Sequence, residues 1–332
     1  MATAAKHAYL RVTMTELPAF LDSNRPRVPD LSVPRGVTPF YLPDRPVRGR
    51  LVRLGPLAAT LLSRHEEHPP PVRRLLGEAL ALTAGLSTAL KFKGSFSVQI
   101  RGDGPVPTLL TDCTEAGALR GYARVAGDAE IPENATARQM LGKGFIAFTV
   151  DQGLEREPSQ GIVAIEGETL AEIAEFYFAT SEQMPARVFL AAEETSAGWR
   201  ASALLLERVA GAGGVAPELS EAGQEEAWRT ACMLAATLSR AELLDDALPP
   251  ERLLYRLFHG EGVAAARPRA LSFGCRCSRQ RLGGILEGFP PDDLDHMAVE
   301  GEIVMTCEFC NFDFRFARDD VTGRPNPTEA GA

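Results

Sequence analysis

Two pairs of cysteines near the C-terminal end set the strictest limit on how this chain folds. They are Cys275-Arg-Cys277 and, after a gap of 29 residues, Cys307-Glu-Phe-Cys310. Four of the six cysteines in the chain thus fall within fewer than forty residues. Each pair places two thiols close enough to bind one ion, and two pairs complete a closed tetrahedral site. Thiolate sulfur suits Zn²⁺, which brings no redox chemistry of its own. With all four ligands supplied by protein, no position is open for water or substrate, and a catalytic metal is not expected.

The meaning of such a cluster depends on its compartment. Met1 to Leu10 has no apolar h-region, so no secretory signal is expected. The longest apolar stretch, around Leu75 to Leu90, is interrupted by Glu78, Thr83, Ser87 and Thr88. It predicts a buried helix, since a membrane span needs about twenty nearly unbroken apolar residues. The expected compartment is the reducing cytoplasm, where clustered cysteines are metal-binding or redox-active more often than structural disulfides.

Charge weighs against a nucleic-acid partner. The chain carries a net charge of −9, with a pI near 5.3. Residues 271–318 hold five Arg, no Lys and eight acidic residues. Four thiolates around one Zn²⁺ make that segment more negative still, a surface that repels phosphate backbones. Phe312, Phe314 and Phe316 therefore read as core rather than as a base-stacking platform.

The remainder of the chain is long enough for two or three units, with ordinary globular composition. Residues 1–46 carry six prolines between Pro26 and Pro46, which precludes a continuous helix or a central strand and predicts an extended arm or partly disordered lead-in. Leu57 to Arg64 is a short helix, and Pro71 suits the first turn of a longer one. In that second helix Leu75, Leu76, Ala79, Leu80, Leu86 and Leu90 share a face. Gly77 and Gly85 weaken it, which predicts close packing against a sheet.

Phe96, Val98 and Ile100 then alternate with polar neighbours in the half-buried strand pattern. Further strands are predicted at Thr108–Thr111, Leu119–Val125, Phe145–Val150, Gly161–Ile165, Arg187–Ala191 and Trp199–Leu206. Thr169-Leu-Ala-Glu172 is a capping box before another helix. Gly211 to Pro217 breaks the chain. Beyond it Trp228, Ala231, Leu234, Ala235 and Leu238 form an apolar stripe opposite Glu221, Glu225, Glu226 and Arg229. A second short helix after Pro249-Pro250 carries Leu253, Leu254, Leu257 and Phe258, with Gly260 as its C-cap. Such short helices must bury their stripes on something else. The fold class is α+β: a mostly antiparallel sheet with covering helices, a helical linker region and a small C-terminal four-cysteine domain.

Two roles suit the closed cysteine site. Spacing alone favours a static zinc module. The sharper alternative is a redox sensor, because zinc holds the thiols as the thiolates that oxidants attack. Structural zinc contributes on the order of 10–16 kcal/mol, so its loss should unfold a segment of this size and unsettle anything packed against it. The isolated Cys113 and Cys232 read as buried and inert. His259 and His296 are not needed as ligands. There is no Walker P-loop at Gly142-Lys143-Gly144 and no G-x-S-x-G elbow, so nothing points to ATP or to a catalytic nucleophile.

Taken together these segments resemble the heat shock protein 33 family, the redox-regulated 33 kDa chaperonins. The resemblance runs from about Val47 to Ala317. It includes Val47-Arg-Gly49, the run Leu90 to Gly104, Leu119 to Val125, Gly161-Ile-Val163, Ile165 to Leu170 and Ser181-Glu-Gln183. It continues through Leu254 to His259, Cys275 to Arg279, and Gly301 to Cys310. C-x-C followed by C-x-x-C at this separation is the family's zinc motif. The lead-in before Val47 looks longer than usual, and Pro158-Ser-Gln160 stands where an aromatic residue is expected.

The resemblance implies an ATP-independent holdase rather than an enzyme, idle while reduced with one Zn²⁺ on Cys275, Cys277, Cys307 and Cys310. Oxidation would form Cys275–Cys277 and Cys307–Cys310 disulfides, release zinc, unfold the zinc domain and destabilise the linker. The activated protein would form a homodimer, bind unfolded clients and pass them to ATP-dependent foldases, with no nucleic-acid or membrane partner. On this reading residues 1–46 are the lead-in, 47–210 the α+β core, 211–269 the flexible helical linker, 270–318 the redox-switch zinc domain and 319–332 a polar tail. Trp228, Leu234, Leu238, Leu253, Leu254, Leu257 and Phe258 are the candidate client-binding surface. The competing expectations are an interaction or nucleic-acid-binding protein with a static zinc module, and a thiol oxidoreductase using the C-x-x-C.

Overall fold

A strand, β1 (Ser32–Leu42), occupies part of the proline-rich stretch expected to be an extended arm. It is an inner strand. On one side lies β2 (Val47–Arg53), and on the other lie β10 (Ala264–Ala265) and β11 (Arg269–Phe273). Its prolines sit where the absent N–H is not missed. Pro34 falls in the register shift between Val33 and Val37 opposite β11. Pro39 accepts a hydrogen bond from Ala266 N, so its own nitrogen, on the same side of the strand, faces the break between β10 and β11. Prolines within sheets are confined to such interruptions.

The computed structural model describes residues 31–88, 94–127, 129–153, 156–209 and 219–323. Residues 1–30 of the lead-in and the glycine-rich break at 211–217 lie outside them. The described residues divide into a larger unit, 31–275 with 308–311, and a smaller one, 276–307 with 312–323.

The larger unit is built on an 11-stranded sheet. Its other strands are β3 (Ser95–Gly102), β4 (Thr108–Thr114), β5 (Ala118–Arg124), β6 (Gly144–Asp151), β7 (Ser159–Ala164), β8 (Ala186–Thr195) and β9 (Gly198–Arg208). The spatial order is β7-β6-β3-β4-β5-β11-β1-β2-β9-β8, with β10 also beside β1. The β11–β5 pair is parallel, with Phe273 opposite Leu119, and every other pairing is antiparallel. The fold is α+β with a mostly antiparallel sheet, as the strand pattern predicts.

The helices α1 (Pro56–Leu62), α2 (Pro70–Ser87), α3 (Ala137–Leu141) and α4 (Leu170–Thr180) complete the first part of this unit. The predicted capping box holds: Thr169 Oγ1 accepts from Glu172 N at 3.2 Å, and Glu172 Oε2 accepts from Thr169 N at 3.1 Å. Gly77 on α2 is there for close approach, since a Cβ would lie 2.8 Å from that of Ala192 on β8. Consecutive residues of β9 face opposite ways, yet Ala201 through Glu207 are all buried. Leu205 meets α2 at Gly85, while Leu204 and Leu206 belong to a cluster on the other face. A strand covered on both faces reads as a continuous apolar run.

That other cover is the linker region, α5 (Glu221–Ala235), α6 (Arg240–Leu244) and α7 (Pro250–Phe258). The capping box Ser239-Arg-Ala-Glu242 marks α6 and was the available signal for a helix the periodicity did not predict. Gly260 is not the C-cap of α7. The helix ends at His259, a 3₁₀ turn follows, and Gly262 takes the left-handed conformation at φ 73°.

The smaller unit contains α8 (Arg279–Leu286), α9 (Pro291–Met297) and a hairpin of β12 (Glu302–Cys307) with β13 (Phe312–Ala317). Its core includes Leu286, Leu294, Ile303, Phe314, Phe316 and Val321. Phe314 and Phe316 are core, as expected, and Phe312 is half-buried, its ring in a T-shaped contact with Phe314 at 4.9 Å between centroids.

Candidate metal centre

Each cysteine pair is positioned by the end of a strand. Cys275 follows β11 after Gly274, whose N donates to Leu119 O at 2.8 Å. A Cβ at 274 would lie 2.5 Å from the Ala118 carbonyl carbon, so only glycine lets the chain pass this close to β5. Cys277 precedes Ser278, the N-cap of α8, whose Oγ accepts from Arg281 N at 3.1 Å. Cys307 pairs with Phe312 as the closing pair of the β12–β13 hairpin, so Cys310 stands in its tip. Asn311 turns the chain there at φ 52°, a left-handed value that asparagine tolerates better than most residues.

The four cysteines are buried, and their Sγ atoms all lie within 4.8 Å of one another. Four sulfurs around one zinc at about 2.3 Å would be about 3.8 Å apart, so the donor set fits a small closed metal site. The cluster brings together all four predicted ligands. His259 and His296 do not join it. Their Nδ1 atoms contact Tyr255 O at 3.1 Å and Asp292 O at 2.5 Å, one helical turn back in each case.

The hairpin tip has its own seat. The Phe309 ring lies 4.0 Å from the Arg120 guanidinium and 5.0 Å, edge-on, from Tyr122. Asn311 Nδ2 donates to Glu67 Oε2 at 3.3 Å. His65 and His68, stacked at 5.7 Å, are aimed at the Gly121 and Ala123 carbonyls of β5. Burial, reinforced by His68, holds the pKa of His65 below the usual imidazole value. His65, Glu67 and His68 also form a group whose ligand atoms lie within 4.8 Å of one another. Phe309 had no distinguishing signal in the sequence, because its neighbours come from a distant strand.

Of the predicted surface residues, Trp228, Leu253, Leu254, Leu257 and Phe258 are buried, and Leu234 and Leu238 are half-buried. They pack with Phe40, Leu42, Val47, Leu51, Leu204 and Leu206 of the sheet. Phe258 stacks on Phe40 at 5.5 Å. A polar clasp holds the same cover: Arg53 donates to Asp245 O at 2.6 Å and to Glu242 O at 2.9 Å. The stripe is thus a closed apolar interface between linker and sheet.

The isolated cysteines are apart from the cluster. Cys113 is buried on β4 and Cys232 is half-buried on α5. Burial pushes the Cys232 thiol up to about 11, although Arg187 opposes the shift. Among the described residues no helix is long and apolar enough to cross a membrane.

Comparison with known proteins adds a consistent picture. The family model described as Hsp33 protein matches residues 36–317. A 33 kDa chaperonin of Caulobacter vibrioides is 39% identical over 285 residues, covering 83% of this chain and 92% of that protein. Another, from Enterobacter sp. (strain 638), is 37% identical over 276 residues, covering 83% and 89%. The crystal structure of a 33 kDa chaperonin from Thermotoga maritima matches with a TM-score of 0.71 at 22% identity, over 86% of this chain and 96% of that one.

Proposed function

The chain belongs to the Hsp33 family, and from that premise we propose that it is a redox-regulated, ATP-independent chaperone of the cytoplasm that acts by binding rather than by catalysis. One observation carries the reading: a buried four-thiol cluster occurs in the same chain as an apolar linker face that is largely covered by the sheet. Cys275, Cys277, Cys307 and Cys310 hold one Zn²⁺ in the reduced state, and the bound metal keeps them as thiolates.

Oxidation pairs Cys275 with Cys277 and Cys307 with Cys310. Two peroxide molecules take two electrons from each pair and, with four protons, leave as four waters, while Zn²⁺ departs from sulfurs that no longer carry charge. The zinc domain then loses its largest stabilising contribution, about 10–16 kcal/mol. Linker docking, a weaker and separate contact, fails next, with mild heat assisting. Trp228, Leu234, Leu238, Leu253, Leu254, Leu257 and Phe258 become the surface for unfolding clients. Oxidised chains pair as homodimers and release clients to ATP-driven foldases.

The test is a peroxide titration of the reduced protein that follows zinc release, free thiols and suppression of client aggregation together. Coincident zinc loss and holdase gain is the expected result. Zinc retention, or zinc loss without holdase activity, leaves a static zinc module as the better description.

A further inference from the structure

A cavity of about 410 Å³ lies where the linker meets α2, α4 and β8. Its walls include Thr169, Val188, Leu238, Arg240 and Leu243, and one carboxyl, that of Glu78 on α2, opens into it. In the sequence Glu78 is an interruption in an apolar run. In the fold it is half-buried, and among the described residues no hydrogen bond or ion pair reaches its carboxyl.

The charged groups around it are few. Arg74 extends from α2 and Arg240 from α6. Arg240 is already engaged by Ala192 O and, at 3.2 Å, by Glu193 Oε2 of β8. On α4, Glu172 is committed to its own N-cap. Burial raises the Glu78 pKa to about 7, against the smaller opposing pull of Arg240 and Arg74. Leu238 to Leu243 supply one wall of the cavity, so release of the linker exposes Glu78 more fully to water.

We propose that Glu78 is a proton-binding site that couples docking of the linker helices to pH. The proposal rests on the reading of the linker as a releasable cover. Protonated Glu78 tolerates its place beneath α6, and ionised Glu78 favours release of the helix. A carboxyl whose pKa is raised in the docked state stabilises docking below the ordinary carboxylate range. That contribution is lost as pH rises toward 7. Within this window each pH unit weakens docking by up to about tenfold, and above it the dependence levels off.

Hydrogen exchange of the reduced, zinc-loaded full chain tests this, read as protection factors for amides of α5 to α7 at pH 5.5, 7 and 8. On the order of a tenfold loss of protection is expected between pH 5.5 and 8. Glu78→Gln, neutral throughout, should abolish that change while keeping the protection seen at low pH. Arg240→Gln removes a cation that favours ionisation and should move the midpoint to higher pH even if docking weakens overall. Unchanged pH dependence in Glu78→Gln, or a midpoint that Arg240→Gln leaves in place, overturns the proposal. Because the readout is docking itself, pH-dependent protection without client binding would sink the chaperone reading and leave the proton site standing.

Discussion

Arg50 and Glu207 meet between β2 and β9, with Arg50 Nη1 donating to Glu207 Oε1 at 2.6 Å and both side chains buried. Arg48 Nε donates to the other carboxylate oxygen at 2.7 Å. Burial alone would raise the Glu207 pKa, but Arg50 and Arg48 outweigh it and hold the carboxyl below its usual range. Glu207→Gln leaves Arg50 buried without a counter-charge and should cost about 3–5 kcal/mol, read as a lower urea midpoint. The lowered pKa also sets a pH sign. Stability from the ion pair is present above the ordinary carboxylate range and is lost as pH falls through the folded pKa. The acid limb of the wild-type stability curve should therefore be steeper than that of Glu207→Gln.

The linker cover should respond to loss of its central ring. Phe258→Ala removes the stack on Phe40 from a fully buried position, at a cost of about 3–5 kcal/mol. Faster hydrogen exchange is expected in α5 to α7, with β3 to β6 unaffected, and the reduced protein should bind an apolar dye without oxidant. Normal linker protection in this variant would show that the contact contributes little to docking.

Removing one thiol should empty the metal centre. Cys307→Ser is expected to reduce bound zinc from one equivalent to a small fraction, measured by elemental analysis. Amide protection should be lost across α8, α9 and the β12–β13 hairpin while the larger sheet keeps its protection. Full zinc occupancy in the variant would contradict the four-sulfur site.

Cys232 should behave differently from the cluster. With its thiol pushed up to about 11, the reactive thiolate is a minor species at pH 8, and alkylation of the native protein there should be slow. Rapid labelling of Cys232 before unfolding would mean that α5 opens readily.

The features visible in the sequence were those encoded by neighbours in the chain. The cysteine spacing, the box at Thr169 and Glu172, and the stripe from Trp228 to Leu238 each depend on residues a few positions apart. The prolines of β1 could not be judged in that way. Whether Pro34 and Pro39 are tolerated depends on where β10 and β11 break, more than 200 residues later. Phe309 finds Arg120 and Tyr122 only through the tertiary fold. The α8 helix was obscured by Gly283 and Gly284, which weaken its local preference. Glu78 looked like a mere interruption because its environment is supplied by three other elements.

The position of β11 has a consequence for synthesis of the protein. This strand separates β5 from β1, so the sheet without it consists of β7-β6-β3-β4-β5 and β1-β2-β9-β8, with no strand pairing between them. A chain emerging from the ribosome exposes two unmatched edges, adjacent to hydrophobic surface, until residue 273 is free to insert. The first cysteine of the cluster lies two residues beyond that point. During translation, closing the seam of the sheet and presenting the first thiol for metal are nearly simultaneous events, and a nascent chain stalled before β11 could complete neither.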